Sequence, residues 1–129
     1  MRNKLYIGFA LAVFVFISSA TAQESGSSAW NGEWIAEGTL FRIAVSVEDS
    51  IMKVVQIESL GQVWTNDDGE VAGNIARVPV QYAGATGTIE AELIDDTTAL
   101  LHAASCEPEF MVVCALSKDR QAIFRKVSD

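Results

Sequence analysis

Short runs in which apolar and polar residues alternate make up most of this chain. From Phe41 to Val47 every second residue is a large apolar one. Because successive side chains of a strand point to opposite faces of a sheet, this run predicts a half-buried β-strand. About eight such runs follow one another at spacings of about 8–15 residues, and none has the periodicity of a helix. The alternation therefore predicts an all-β domain.

The connections between these runs favour a small antiparallel up-and-down β-barrel of about eight strands. Nearly all are of hairpin length, so that consecutive strands can pair with each other, and closure removes the exposed sheet edges. A β-sandwich remains the alternative. Pro79 indicates an edge, a bulge or the first residues of a strand. The predicted turns lie at 48–50, 68–69 (a tight Asp-Gly hairpin), 84–87, 95–98, 107–109 and 117–119. The predicted strands after the first include 51–57, 77–82, 99–105, 110–116 and 121–127.

The first 22 residues have the pattern of a cleaved secretory signal peptide. A basic start with Arg2 and Lys4 precedes an apolar run, and Ala20-Thr21-Ala22 matches the small-residue cleavage rule. The apolar run is too short for a membrane-spanning helix, which needs about 20 residues. We therefore predict a signal peptide over residues 1–22, a flexible leader over 23–29, and a single barrel domain over 30–129. The expected location is the periplasm or the exterior of the cell.

The expected mature domain is strongly acidic. The whole chain has a net charge of −8. Removal of residues 1–22 takes away two basic residues and no acidic one, which leaves −10. Nucleic acid is not an expected partner, because phosphate binding relies on clustered lysine and arginine.

The two cysteines of the chain, Cys106 and Cys114, predict a disulfide. Exported proteins mature under oxidising conditions, so that a pair of cysteines in such a chain is expected to be bridged. The loop that they close is short, and the expected gain in stability lies at the lower end of the usual few kcal/mol.

Two segments are apolar on both faces: Leu100-Leu101 and the run from Phe110 to Leu116, which we predict to be a strand. Strands covered on the outside are one explanation, the cover being the N-terminal segment with Trp30 or a short helix. A homodimer through the strand from Phe110 to Leu116 is the other.

Gly32-Glu33-Trp34 at the first strand and Arg125 in the last resemble the calycin group, the lipocalins and their relatives. The resemblance implies an antiparallel barrel that holds an apolar ligand in its mouth. It also implies that Trp34 and Arg125 close the barrel bottom, by stacking and a cation–π contact.

No arrangement of residues in the sequence points to catalysis or to a metal. His102 is the one histidine of the chain and lies in an apolar run, so we expect it to be packed or hydrogen-bonded. Glu90 and Glu92 alternate along one run, as expected for the solvent-exposed face of a strand, and we favour this role over a catalytic carboxylate pair of the glycosidase kind. The acidic turn at Asp67-Asp68 fails the calcium-loop pattern. We predict no enzyme activity, no cofactor and no metal.

Two functions remain, both of them binding functions. The first is a calycin-like barrel for a small apolar ligand, provided that its own side chains do not fill the interior. The alternative is an acidic module that binds or inhibits a basic secreted enzyme. Its contact surface would be the acidic turns at 67–68, 95–96 and 107–109. The expected ligand-lining residues of the first are Phe41, Ile43, Val45, Ile89 and Leu93.

Overall fold

The structure is a computed structural model that describes residues 29–129. The predicted signal peptide and nearly all of the predicted leader lie outside the described residues. Ala29 and Trp30 are helical, and nine strands and one further helix follow. In chain order they are β1 (Gly32–Ala36), β2 (Arg42–Glu48), β3 (Ile51–Glu58), β4 (Trp64–Asn66), β5 (Gly69–Ala72), β6 (Ile75–Tyr82), β7 (Ala85–Asp95), β8 (Thr98–Glu107), α1 (Val112–Ser117) and β9 (Gln121–Ser128).

Eight of the strands form a closed antiparallel barrel, which confirms the predicted fold class. Neighbours in the barrel follow the chain, β1-β2-β3-β5-β6-β7-β8-β9, and β9 pairs with β1 to close the sheet. The additional strand, β4, pairs with β6. Because the two ends of the domain pair with each other, the fold is a barrel and not the alternative sandwich.

Two-residue turns with left-handed backbone join several of the strands. Asp49 and Ser50 have φ values of 55° and 66° and connect β2 to β3, as the turn prediction at 48–50 requires. The predicted tight hairpin at Asp68-Gly69 is wrong. Gly69 begins β5, and the chain reverses at Gly73-Asn74 instead. Gly73-Asn74 is itself a favoured hairpin sequence. Its use places Val71 opposite Ala76, both of them buried.

Pro79 lies opposite the break between β4 and β5. Its carbonyl accepts a hydrogen bond from the backbone N–H of Asp67 at 3.1 Å. The N–H and C=O of a strand residue point to the same side, so the missing N–H of Pro79 also faces this break. Pro79 therefore lies where the pairing of β6 is interrupted, as at a local sheet edge, and the pairings of β6 contain no bulge.

The barrel has two different ends. Trp30 and the two-residue turns after β2, β5 and β7 lie at one end, which we call the closed end. The connections after β1, β3, β6 and β8 lie at the other, which we call the open end. The hydrophobic core runs along the barrel interior and comprises Trp30, Trp34, Ile43, Val45, Met52, Val71, Ala76, Val78, Ala91, Leu93, Ala99 and Phe124.

The run from Phe110 to Leu116 is not a strand, so the proposed dimer through such a strand has no basis in the fold. The chain turns at Pro108 and forms the short helix α1, in which the Ala115 N–H donates to the Met111 carbonyl at 3.1 Å. The Cys106–Cys114 disulfide, which confirms the predicted pairing, holds this helix against β8. A six-residue helix is too short to show helical periodicity in the sequence.

The predicted cover of the apolar strands is also different. Trp30 is buried within the closed end and does not cover Leu100-Leu101 from outside. Leu101 faces the barrel interior.

Within residues 29–129 no helix has the length and apolar character needed to span a bilayer.

Candidate functional site

The barrel encloses a cavity of about 430 Å³. This volume lies within the range of about 300–1,000 Å³ that is typical of small-molecule sites. Its wall is formed mainly by inward-facing apolar side chains from the barrel strands. They are Trp30, Trp34, Phe41, Ile43, Val45, Met52, Val54, Trp64, Val78, Val80, Ile89, Ala91, Ala99, Leu101, Ala103, Ala122 and Phe124.

Alanines at inward-facing positions explain why the barrel has free space. Ala91, Ala99, Ala103 and Ala122 line the cavity from β7, β8 and β9. An eight-stranded barrel is just wide enough for large side chains to fill it. Small side chains on three adjacent strands leave room that the large residues of β2 and β3 do not take up.

Two tryptophans seal the closed end. The Trp34 indole N–H donates to the Trp30 carbonyl at 2.9 Å, and the Trp30 indole N–H donates to the Gly73 carbonyl at 3.3 Å. Their ring centroids are 6.4 Å apart. The strand that carries Trp34 begins at Gly32, which has a φ of 135° and where a Cβ atom would clash with the Ser128 carbonyl oxygen, so this position requires glycine.

The cation over Trp34 is Lys126, and the predicted contact with Arg125 is wrong. The Lys126 ammonium lies 5.4 Å from the centroid of the Trp34 ring. Trp34 pairs with Lys126 across β1 and β9, whereas Arg125 pairs with Ile35 and so faces the outside. There Arg125 donates to Glu37 at 2.8 Å and to Thr98 at 3.2 Å.

An aromatic cluster forms the wall near the break between β3 and β4. Phe41 stacks on Trp64 with centroids 5.8 Å apart and contacts the edge of Phe124 at 6.1 Å. The Trp64 indole N–H is buried and has no acceptor among the described residues. A buried donor without a partner costs roughly 1–3 kcal/mol, so Trp64 is a locally unfavourable feature of this wall.

Polar residues line the cavity towards the open end. They are Gln62, Tyr82, His102, Ser117, Arg120 and Gln121, of which His102 and Gln121 pair with each other at outward-facing strand positions. No aspartate or glutamate of the described residues lines the cavity. An apolar interior with a few polar groups at one end suits a ligand that is mostly apolar.

Four of the five residues expected to line a ligand site do face the cavity: Phe41, Ile43, Val45 and Ile89. The fifth, Leu93, is buried in the core but lies outside the cavity lining. Sequence reasoning missed Trp30, Trp64 and Arg120. Val78 and Val80 also line the cavity, and their alternation with Pro79 and Gln81 is the sequence signal for this orientation. Nothing in the sequence showed that the connection after α1 returns to the barrel mouth.

The residues considered for other chemistry lie on the outer surface, where Glu90 and His102 are direct neighbours across β7 and β8. Glu90 forms an ion pair with Arg77 at 2.9 Å and Asp68 with Lys53 at 2.8 Å. His102, which is half-buried, is the one histidine of the chain. In the described part of the chain no group of three or more His, Cys, Asp or Glu side chains could hold a metal ion.

The acidic turns do not form one surface. Asp95 and Asp96 precede β8 at the closed end, and Glu107 ends β8 at the open end. The ten residues of β8 extend over roughly 30 Å at about 3.3 Å each. Among the acidic groups, Asp95 has a lowered pKa, chiefly because its carboxylate accepts a hydrogen bond from the Thr97 backbone N–H at 2.9 Å.

Comparisons with known proteins give no family. No protein-family model matches the chain, and no curated protein matches it significantly. Among solved structures, it is similar to the crystal structure of pallilysin from Treponema pallidum, with 9% sequence identity and a TM-score of 0.49. The match covers 83% of this chain and 89% of that one. Similarity at this level says nothing about function.

Proposed function

We propose that this chain is an exported, non-enzymatic binding protein whose barrel holds a small, mostly apolar ligand. The cavity of about 430 Å³ carries the proposal, since its wall consists almost wholly of apolar side chains. Burial of apolar ligand surface there contributes about 25 cal/mol per Å². The intact disulfide supports an oxidising location such as the periplasm or the exterior of the cell.

The acidic protein-binding module has less support. Its three acidic turns lie at different ends or on the side of the barrel, so a single flat partner cannot contact them together. Asp68, moreover, is already paired with Lys53. The net charge alone favours this function, and charge affects solubility as much as partner choice.

A matched pair of substitutions on β8 tests the cavity proposal. Ala103 lines the cavity, whereas its neighbour Ala104 is exposed. Ala103→Phe fills part of the cavity, and Ala104→Phe adds the same side chain outside it. The measurement is the fluorescence titration of the neutral apolar probe N-phenyl-1-naphthylamine with each folded variant.

The proposal predicts saturable probe binding to the wild type and to Ala104→Phe, and binding at least about tenfold weaker to Ala103→Phe, because a filled cavity excludes the probe. Equal binding by the two variants would show that the probe binds elsewhere. Absence of saturable binding by the wild type would overturn the proposal.

A further inference from the structure

The charge around the cavity differs from the charge of the whole chain. The chain has 17 acidic and nine basic residues. Arg120 is nevertheless the one arginine, lysine, aspartate or glutamate that lines the cavity within residues 29–129. A ligand whose polar end lies at the open end therefore meets a positive side chain, although the protein as a whole is negative.

Arg120 also differs from the other arginines of the described residues because it has no carboxylate partner there. Arg42, Arg77 and Arg125 each form an ion pair with a glutamate, at 3.3, 2.9 and 2.8 Å respectively. The guanidinium of Arg120 forms no such pair within residues 29–129. Its donors, which suit the planar oxygens of a carboxylate or phosphate, remain available to a ligand.

The elements on both sides of Arg120 hold it at the mouth of the cavity. Its backbone N–H donates to the carbonyl of Ser117, the last residue of α1, at 3.2 Å. The disulfide fixes α1 to β8. On the other side, Gln121 begins β9 and pairs with His102. The position of Arg120 is thus set by anchored segments and does not depend on a long loop.

We infer that the ligand is an amphiphile with its apolar tail inside the barrel and an anionic head group at Arg120; this inference rests on the proposed function. Tyr82 lines the cavity near the same end and offers a further donor to head-group oxygens. An uncharged head group gains no ion pair with Arg120, and a cationic one is repelled by it.

Three probes with the same tail separate the head-group chemistry from the tail. Dodecanoate, dodecanol and dodecyltrimethylammonium are titrated against bound N-phenyl-1-naphthylamine at pH 8, where dodecanoate is ionised. The wild type is expected to bind dodecanoate about 3–10-fold more tightly than dodecanol, as an exposed charge-assisted contact allows. Dodecyltrimethylammonium is expected to bind most weakly.

Arg120→Gln is expected to abolish the preference for dodecanoate over dodecanol. Lys118→Gln is the matched control. This substitution changes the net charge by the same amount as Arg120→Gln, but Lys118 is exposed and does not line the cavity. Arg120→Lys should keep part of the preference.

Each outcome bears on one of the two proposals. If dodecanol binds the wild type as tightly as dodecanoate, or if Arg120→Gln weakens both equally, the anionic head group is wrong and the apolar cavity site stands. If Lys118→Gln has the effect of Arg120→Gln, the preference reflects net charge and the role of Arg120 is wrong. If none of the three probes displaces N-phenyl-1-naphthylamine, both proposals fail.

Discussion

At the residue scale, hydrogen-bond partners distinguish side chains that look alike in the sequence. Trp34 and Trp64 both face the barrel interior, yet the indole N–H of Trp34 has an acceptor and that of Trp64 has none among the described residues. This difference depends on which backbone carbonyl lies opposite each ring, which the sequence does not show.

Replacement of each tryptophan by phenylalanine is expected to have unequal effects on stability. Trp34→Phe removes a buried hydrogen bond and leaves the Trp30 carbonyl without its donor, so we expect a loss of about 2–4 kcal/mol. Trp64→Phe removes similar volume but also removes an unsatisfied donor, and its loss should be smaller by at least about 1 kcal/mol. Urea unfolding measures both free energies, and equal losses would contradict this account.

Asp95 is expected to contribute stability that depends on pH. Its folded-state pKa is lowered by the hydrogen bond from the Thr97 backbone N–H. The contribution is therefore present above the usual aspartate range, near pH 4, and is lost as the pH falls through the lowered folded-state pKa. Unfolding of the wild type and of Asp95→Asn between pH 7 and pH 2.5 should show a gap that closes on acidification. A gap that stays constant with pH would exclude this role of Asp95.

At the element scale, the alternation of β2 predicted this strand and its inward face, because period two follows directly from strand geometry. The break between β4 and β5 was not predictable in position, since it depends on Pro79 lying opposite Asp67 across the sheet. Helix α1 was missed because six residues do not suffice for a helical pattern. Its role at the mouth depends on the disulfide, which the sequence did predict.

Loss of the disulfide is expected to affect both stability and ligand preference. The double variant Cys106→Ser/Cys114→Ser frees α1 from β8, and the loop entropy corresponds to roughly 2–3 kcal/mol. Because α1 precedes Arg120, we also expect a smaller preference for dodecanoate over dodecanol. Thermal unfolding and the probe titration under non-reducing conditions measure the two effects. Unchanged preference in a folded double variant would show that Arg120 is positioned without α1.

At the scale of the whole molecule, barrel closure creates the interior and small side chains keep it open. The sequence predicted the closed barrel from its short connections, but it left open whether the interior was filled. That outcome depends on which alanines face inward together, and so on the register of β7, β8 and β9 in three dimensions. The Arg125 prediction failed for the same reason: one position along β9 separates the inner face from the outer face.

The location of a bound apolar ligand tests the central claim most directly. Methyl NMR spectra of the isotopically labelled domain, recorded while dodecanol is added, compare inward-facing with outward-facing residues. Ile43, Val45 and Ile89 line the cavity, whereas Ile51 and Ile94 are exposed. We predict saturable shifts for the methyl groups of the three inward residues and unchanged signals for the two exposed ones. Shifts confined to Ile51 and Ile94, or no shift of Ile43, Val45 and Ile89 near the solubility limit of dodecanol, would contradict a ligand-binding barrel.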